Sequence, residues 1–228
     1  MNTDAWLLYK SWSGETSARV VFFTKLEGIV SCFYKGARQP KKQALLQSFT
    51  PLWLEIDVKG TACFVRHIEA TAPSFQLTGD ALFAGMYVNE LLFHALKPHD
   101  AHISLYRSYQ LTLTELTKVV NRPSLEALLR RFEWDLLKAC GYAMSLTHDA
   151  YTRELIQEAG FYSFIPGDGF VSSENGILGA HLLAMSENQL ENLEVLKVAK
   201  WIMRRAISHA LDGQEIKTRA LMIKVKDE

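Results

Sequence analysis

The 228-residue sequence is short of the features that mark exported, membrane-spanning and nucleotide-hydrolysing chains. It has only three cysteines, Cys32, Cys63 and Cys140, odd in number, widely spaced and set among apolar residues. That pattern excludes a disulfide framework and reads as reduced core thiols. The longest apolar run, Ala81 to Val88, falls far below the ~20 residues a helix needs to cross a bilayer. Met1 to Tyr9 lacks the basic start, apolar stretch and small-residue cleavage site of a secretory signal, so a cytoplasmic chain is expected. No glycine-rich loop ends in Gly-Lys-Ser or Gly-Lys-Thr, and Pro166-Gly167-Asp168-Gly169 reads as a turn, so nucleotide hydrolysis is not implied.

What is present is ample material for a core, at 48% hydrophobic residues, and an ordinary 22% of charged ones. The length suits one or two folded units. Net charge is zero, but its distribution is uneven. Residues 1–80 carry nine Lys and Arg against seven Asp and Glu, residues 81–194 eight against fourteen, and residues 195–228 eight against four. The two ends are basic and the middle is acidic.

The first 80 residues read as short strands. Trp6–Tyr9, Arg19–Thr24, Ile29–Tyr34, Leu52–Val58 and Ala62–Ile68 are rich in aromatic and β-branched residues, and Gly14, Gly28, Gly36 and Gly60 punctuate them. Five such strands suggest a small closed barrel, with a hairpin turn at Val58 to Thr61. From Asp80 the period changes from two to about 3.6. Asp80 is a candidate cap for a helix that carries Leu82, Met86, Leu91 and Leu92 and stops at Pro98. A second helix is expected over 102–120. A third starts at Pro123 with an apolar stripe of Leu125, Leu128, Leu129, Phe132, Leu136 and Cys140, and Gly141 ends it. Residues 148–180, rich in glycine and aromatics, read as a looped or hairpin insertion. Ser186 and Gln189 form a capping-box pair before a further helix, and a last short helix is expected over 214–225.

The clearest local signal is Tyr34-Lys35-Gly36-Ala37-Arg38-Gln39-Pro40-Lys41-Lys42, with no acidic residue between Gly28 and Leu54. A loop carrying Lys35, Arg38, Lys41 and Lys42 between barrel strands suits a phosphate backbone, with aromatic side chains nearby to stack on bases. It is equally the composition of a solvated basic loop. Lys197, Lys200 and Arg204, at i, i+3 and i+7, share one helix face and suit DNA or an acidic peptide, or simply decorate a solvent face. Arg130 and Arg131 sit beside the third helix's apolar stripe. Arginine is shaped to hold carboxylates in a two-pronged grip, although an Arg131–Asp135 pair at i, i+4 is the plainer reading. His99 and His102 lack a second ligand pair, and Cys140 belongs to the apolar stripe, so neither metal binding nor a Cys140–His148 nucleophile is expected.

Taken together, Glu15-Thr16-Ser17, Lys35-Gly36-Ala37-Arg38, Phe49-Thr50-Pro51-Leu52, Tyr87-Val88-Asn89-Glu90-Leu91-Leu92, Leu129-Arg130-Arg131-Phe132-Glu133, Leu136-Leu137, Gly141-Tyr142 and Lys217-Thr218-Arg219 resemble, in order, the RecO family of bacterial recombination mediators. The resemblance covers most of the chain and is weakest over 148–190. It implies an N-terminal OB-fold β-barrel over 1–80, followed by an all-α helical domain over 81–228. It implies a nucleoid-associated, non-enzymatic mediator without cofactors that binds single- and double-stranded DNA and anneals complementary strands. With RecR, such a protein helps RecA load onto DNA coated by single-strand-binding protein.

By that resemblance Lys35, Arg38, Lys41 and Lys42, with Arg19, Lys217 and Arg219, are expected to meet DNA. Arg130 and Arg131, with Lys197, Lys200 and Arg204, are expected to receive the acidic, apolar C-terminal tail of single-strand-binding protein. Some relatives carry a four-cysteine zinc site in the segment matching 148–180. Here only His148 and His181 are candidate ligands, so zinc is expected to be absent. Two other functions compete with this one, an adaptor that touches only protein tails and a hydrolase using Cys140 or His99.

Overall fold

A computed structural model describes the backbone of residues 1–224 and the side chains of residues 1–221. Five strands, β1 (Asn2–Ser13), β2 (Ser17–Thr24), β3 (Gly28–Tyr34), β4 (Pro51–Lys59) and β5 (Ala62–Ala70), close into a barrel in the order β1-β2-β3-β5-β4. All pairings are antiparallel except that of β3 with β5, which sets Cys32 beside Cys63 and Phe33 beside Phe64. The five expected strands are all present, each longer at one or both ends, from a single residue at the start of β3 to four at either end of β1.

Period-two alternation builds the core. Ala5 and Leu7, Val20 and Phe22, Val30, Cys32 and Tyr34, Leu52, Leu54 and Ile56 point into one interior. On β5 the inward set is Cys63, Val65 and then Ile68. The β4–β5 ladder slips between Glu55 and Ile56, which leaves Arg66 as the extra residue and turns Ile68 back inward. Burial pushes the Cys32 thiol up to about 12, with Cys63 beside it adding to the effect, so Cys32 stays protonated at neutral pH.

Among the described residues seven helices follow or interrupt the strands: α1 (Pro40–Leu45), α2 (Gly79–Ala95), α3 (Ile103–Leu116), α4 (Arg122–Ala139), α5 (Gly179–Ser186), α6 (Leu193–Ala210) and α7 (Thr218–Lys224). Three boundaries differ from expectation for local reasons. The N-cap of α2 is Thr78, and Asp80 lies within the first turn, where its charge suits the helix dipole. Ser186 closes α5, while α6 is capped by Asn192, whose side chain accepts the Glu194 amide at 2.9 Å. The last helix begins at Thr218 rather than Gln214, and Val225 lies outside the described residues.

The change from strand to helix near residue 80 is not where the compact units divide. Met1–Lys118 and the segment from Ile216 form one unit, and Val119–Glu215 the other. In the first unit α3 covers outward-facing barrel aromatics: Trp6 lies 5.5 Å from Tyr109, and Phe23 5.4 Å from Tyr106. The buried Tyr109 hydroxyl donates to Asn89 Oδ1 at 2.6 Å and ties α3 to α2. Gly85 lets α2 ride on the barrel side, since a Cβ there would stand 2.9 Å from the Phe49 ring.

The second unit is not all helical. Its three-stranded sheet, in the order β7-β6-β8, is made of β6 (Phe161–Ile165), β7 (Gly169–Ser173) and β8 (Ile177–Leu178), within the segment expected to be a loop or hairpin. Buried Leu125, Leu129, Phe132 and Leu136 of α4 face the α6 stripe of Val195, Ala199, Ile202 and Met203.

A carboxylate organises the segment leading to that sheet. Asp149 is 3% exposed. Its Oδ1 accepts the amides of Tyr151 and Thr152 at 2.8 and 3.0 Å, and its Oδ2 accepts the Ser172 amide at 2.7 Å. The Thr152 amide, with those of Ser172 and Tyr151, outweighs burial and holds this carboxyl below its ordinary value of 3.8. Because the folded-state value is the lower one, the stabilisation is complete above the ordinary value and is lost as pH falls through the folded one. Asp149→Asn is therefore expected to flatten the acid limb of the stability curve between about pH 5 and pH 2 and to lower stability at neutral pH by about 1–3 kcal/mol. Urea unfolding of both proteins across that range checks this; parallel curves would contradict it.

Candidate nucleic-acid interface

The basic segment after β3 is part turn and part helix. Lys35 to Arg38 form the turn, with Gly36 at a φ of 68°, and Lys41 and Lys42 lie on α1 rather than in a loop. The buried Ala37 side chain fills the barrel end, so the charged neighbours are forced outward. The Arg38 amide donates to the Thr16 carbonyl at 3.2 Å and fixes the turn against the β1–β2 hairpin.

Three of the four cations then meet an aromatic ring. The Arg38 guanidinium lies 4.6 Å from the centre of Trp12, Lys35 Nζ lies 5.6 Å from Phe64, and Lys42 Nζ lies 5.0 Å from Tyr34 while donating to the Lys35 carbonyl at 2.8 Å. Across the outside of the barrel, the register sets Arg19 beside Phe33 and Phe33 beside Phe64. Phe33 and Trp12 are 40% and 41% exposed. Among the described residues none of Arg19, Lys35, Arg38, Lys41 and Lys42 is in an ion pair, whereas Lys25 is held by Asp4 and Lys59 by Asp57. Unneutralised cations interleaved with wet rings can accept phosphates and stack bases together.

Lys217 and Arg219 lie at the start of α7, away from the basic turn in sequence. The Glu90 carboxylate accepts the Lys217 and Thr218 amides, both at 2.9 Å, and the Thr218 hydroxyl at 2.6 Å, while Arg219 donates to the Tyr87 hydroxyl at 3.4 Å. Burial raises the Glu90 carboxyl, but these donors and His94 more than offset it, and the net shift is downward. The Lys217-Thr218-Arg219 element thus latches α7 onto α2.

In the second unit Arg130 and Arg131 part company. Both line a groove of about 600 Å3 with Met144, Leu146, Met185, Leu190 and Met203. Arg130 is only 6% exposed and is committed to an ion pair with Glu133. Arg131 lies at the wet side, donating to Asn188 Oδ1 and Glu191 Oε1, each at 2.8 Å, rather than pairing with Asp135. The α6 cations do not converge on this groove. Lys197 lines another one, Lys200 is held by Glu126 at 2.6 Å, and Arg204 is exposed. Among the described residues no group of three or more His, Cys, Asp or Glu could hold a metal ion, and no helix is long and apolar enough to cross a membrane.

Comparison with known proteins places this geometry. Residues 76–215 match the model of the recombination protein O C-terminal region. A DNA repair protein RecO of Legionella pneumophila is 47% identical over 219 residues, covering 96% of either chain. The chain belongs to the RecO family. Proteins of the same name from Stutzerimonas stutzeri and Methylococcus capsulatus are 36% and 34% identical, over 100% and 95% of this chain and 95% and 90% of theirs. This RecO-family member adds Trp12, Phe33 and Phe64 to the candidate site, residues that sequence reasoning did not single out. Their signal is positional: Phe33 and Phe64 sit out of phase with the inward set of β3 and β5.

The two arginines separate by experiment. Arg130→Ala breaks a buried pair and is expected to cost about 3–5 kcal/mol of stability, whereas Arg131→Ala should stay within about 0.5 kcal/mol. Chemical denaturation of both variants measures this; equal costs would contradict the assignment of a buried and a surface arginine.

Proposed function

We propose that this RecO-family chain serves recombinational DNA repair by binding, not by covalent chemistry. The observation that carries the reading is the unpaired set Arg19, Lys35, Arg38, Lys41 and Lys42 laid among Trp12, Phe33 and Phe64 on the barrel. Such a surface grips sugar–phosphate backbones without reading base edges, so it accepts single strands of any sequence and, through phosphates alone, duplexes. Holding a strand with its charge neutralised lowers the repulsion that a complementary strand meets, and annealing follows without a nucleophile.

The Arg131 groove suits the C-terminal tail of single-strand-binding protein. Its aliphatic and thioether lining takes an apolar terminus, and Arg131 takes a carboxylate. Glu191, whose side chain is 75% exposed, occupies that guanidinium now, and an incoming tail carboxylate would displace it at little cost. Action with RecR and delivery of strands to RecA rest on family membership.

Annealing of complementary oligonucleotides coated with single-strand-binding protein tests the reading. Wild type should accelerate it, and Lys35→Glu with Arg38→Glu should lose the acceleration while still binding the tail peptide. Unchanged annealing by the double variant would remove DNA from the barrel; no acceleration by wild type would leave an adaptor that touches protein tails only.

A further inference from the structure

A second groove, about 550 Å3 in volume, lies along α6 of the Val119–Glu215 unit, and neither the strand-binding nor the tail-binding role uses it. Tyr162, Phe164, Ile177, Lys197, Trp201 and Arg205 line it. Lys197, Trp201 and Arg205 stand at i, i+4 and i+8, so one outward stripe of the helix presents cation, ring, cation. The opposite face, with Ile202, Met203 and Ala206, is buried.

Trp201 is 43% exposed, a large apolar ring left wet on a helix that has a buried face to offer. It is fixed from two sides. Phe164 meets it edge-on with centroids 6.3 Å apart, and the Arg205 guanidinium lies 4.2 Å from the ring centre. A guanidinium held over an indole keeps its N–H edge available for phosphate. None of the residues lining the groove carries a carboxylate. Arg205 has no ion-pair partner among the described residues, and the partner of Lys197, Glu194, is an exposed residue that a polyanion can replace.

We propose that this groove is a second single-stranded nucleic-acid contact, with a base stacked at Trp201 and the flanking phosphates on Arg205 and Lys197. An acidic peptide fits less well, because the groove offers aromatic faces in place of the Met144, Leu146, Met185 and Leu190 cleft that would take aliphatic side chains. The contact belongs to different elements from the barrel surface and stands or falls independently of it.

Photo-crosslinking tests it. The full chain is mixed with oligo(dT) containing 5-iododeoxyuridine, irradiated, and the joined peptides are mapped by mass spectrometry. A crosslink at Trp201 is expected both in wild type and in the Lys35→Glu, Arg38→Glu variant. In that variant, Trp201→Ala or Arg205→Glu should weaken the remaining oligo(dT) affinity by about 5-fold to 150-fold, while Trp201→Phe retains most of it. Crosslinks confined to the barrel would overturn this proposal and leave the barrel contact standing; no crosslink at either place would overturn both. Protection of Trp201 by an acidic tail peptide, with no oligo(dT) crosslink there, would also overturn it and assign the groove to peptide.

Discussion

A closed barrel has no free strand edge, so whatever this one recognises it must recognise with side chains that leave its surface. That constraint organises the first unit. Alternation sends one set of residues into a single interior, from Ala5 and Leu7 through Leu54 and Ile56. The outward set then has two destinations. Trp6 and Phe23 disappear beneath Tyr106 and Tyr109 of α3, whereas Arg19 and Phe33 stay exposed beside a half-buried Phe64, and the Lys35–Arg38 turn extends that row with cations. The side where helices cover the barrel gains stability, and the bare side is left for a ligand.

The zero net charge conceals a division of labour. Four acidic residues of the middle segment are spent on internal staples, and the other ten are exposed. Glu90 latches the Lys217-Thr218 amides, Glu126 joins Arg122 and Lys200, Glu133 holds Arg130, and Asp149 gathers three amides ahead of the small sheet. Carboxylates committed in this way cannot neutralise the barrel cations. The zero net total thus hides a set of barrel cations that no carboxylate pairs among the described residues.

Much of the fold was legible because hydrophobic period is a strong signal. The five strands and the α4 stripe follow it closely. The division into units was not legible, because α2, α3 and α7 join the barrel through contacts such as Glu90 with Thr218, which are distant in sequence. Arg130 and Arg131 show a finer limit. Neighbours on a helix point about 100° apart, so one arginine is buried against Glu133 and the other reaches solvent, and both flank the same apolar stripe in the sequence. Likewise Lys217 and Arg219 read as equivalent cations, yet Glu90 holds the Lys217 amide and leaves its side chain exposed, while the Arg219 guanidinium reaches Tyr87.

The central claim is that unpaired barrel cations hold a phosphate backbone, and salt dependence measures that most directly. Oligo(dT) affinity should fall with rising salt with a log–log slope of about −3, as expected for about four phosphate contacts on a single strand, and Lys35→Ala with Arg38→Ala should bring the slope to about −1.5. A slope near zero, or one that the double variant leaves unchanged, would contradict the account.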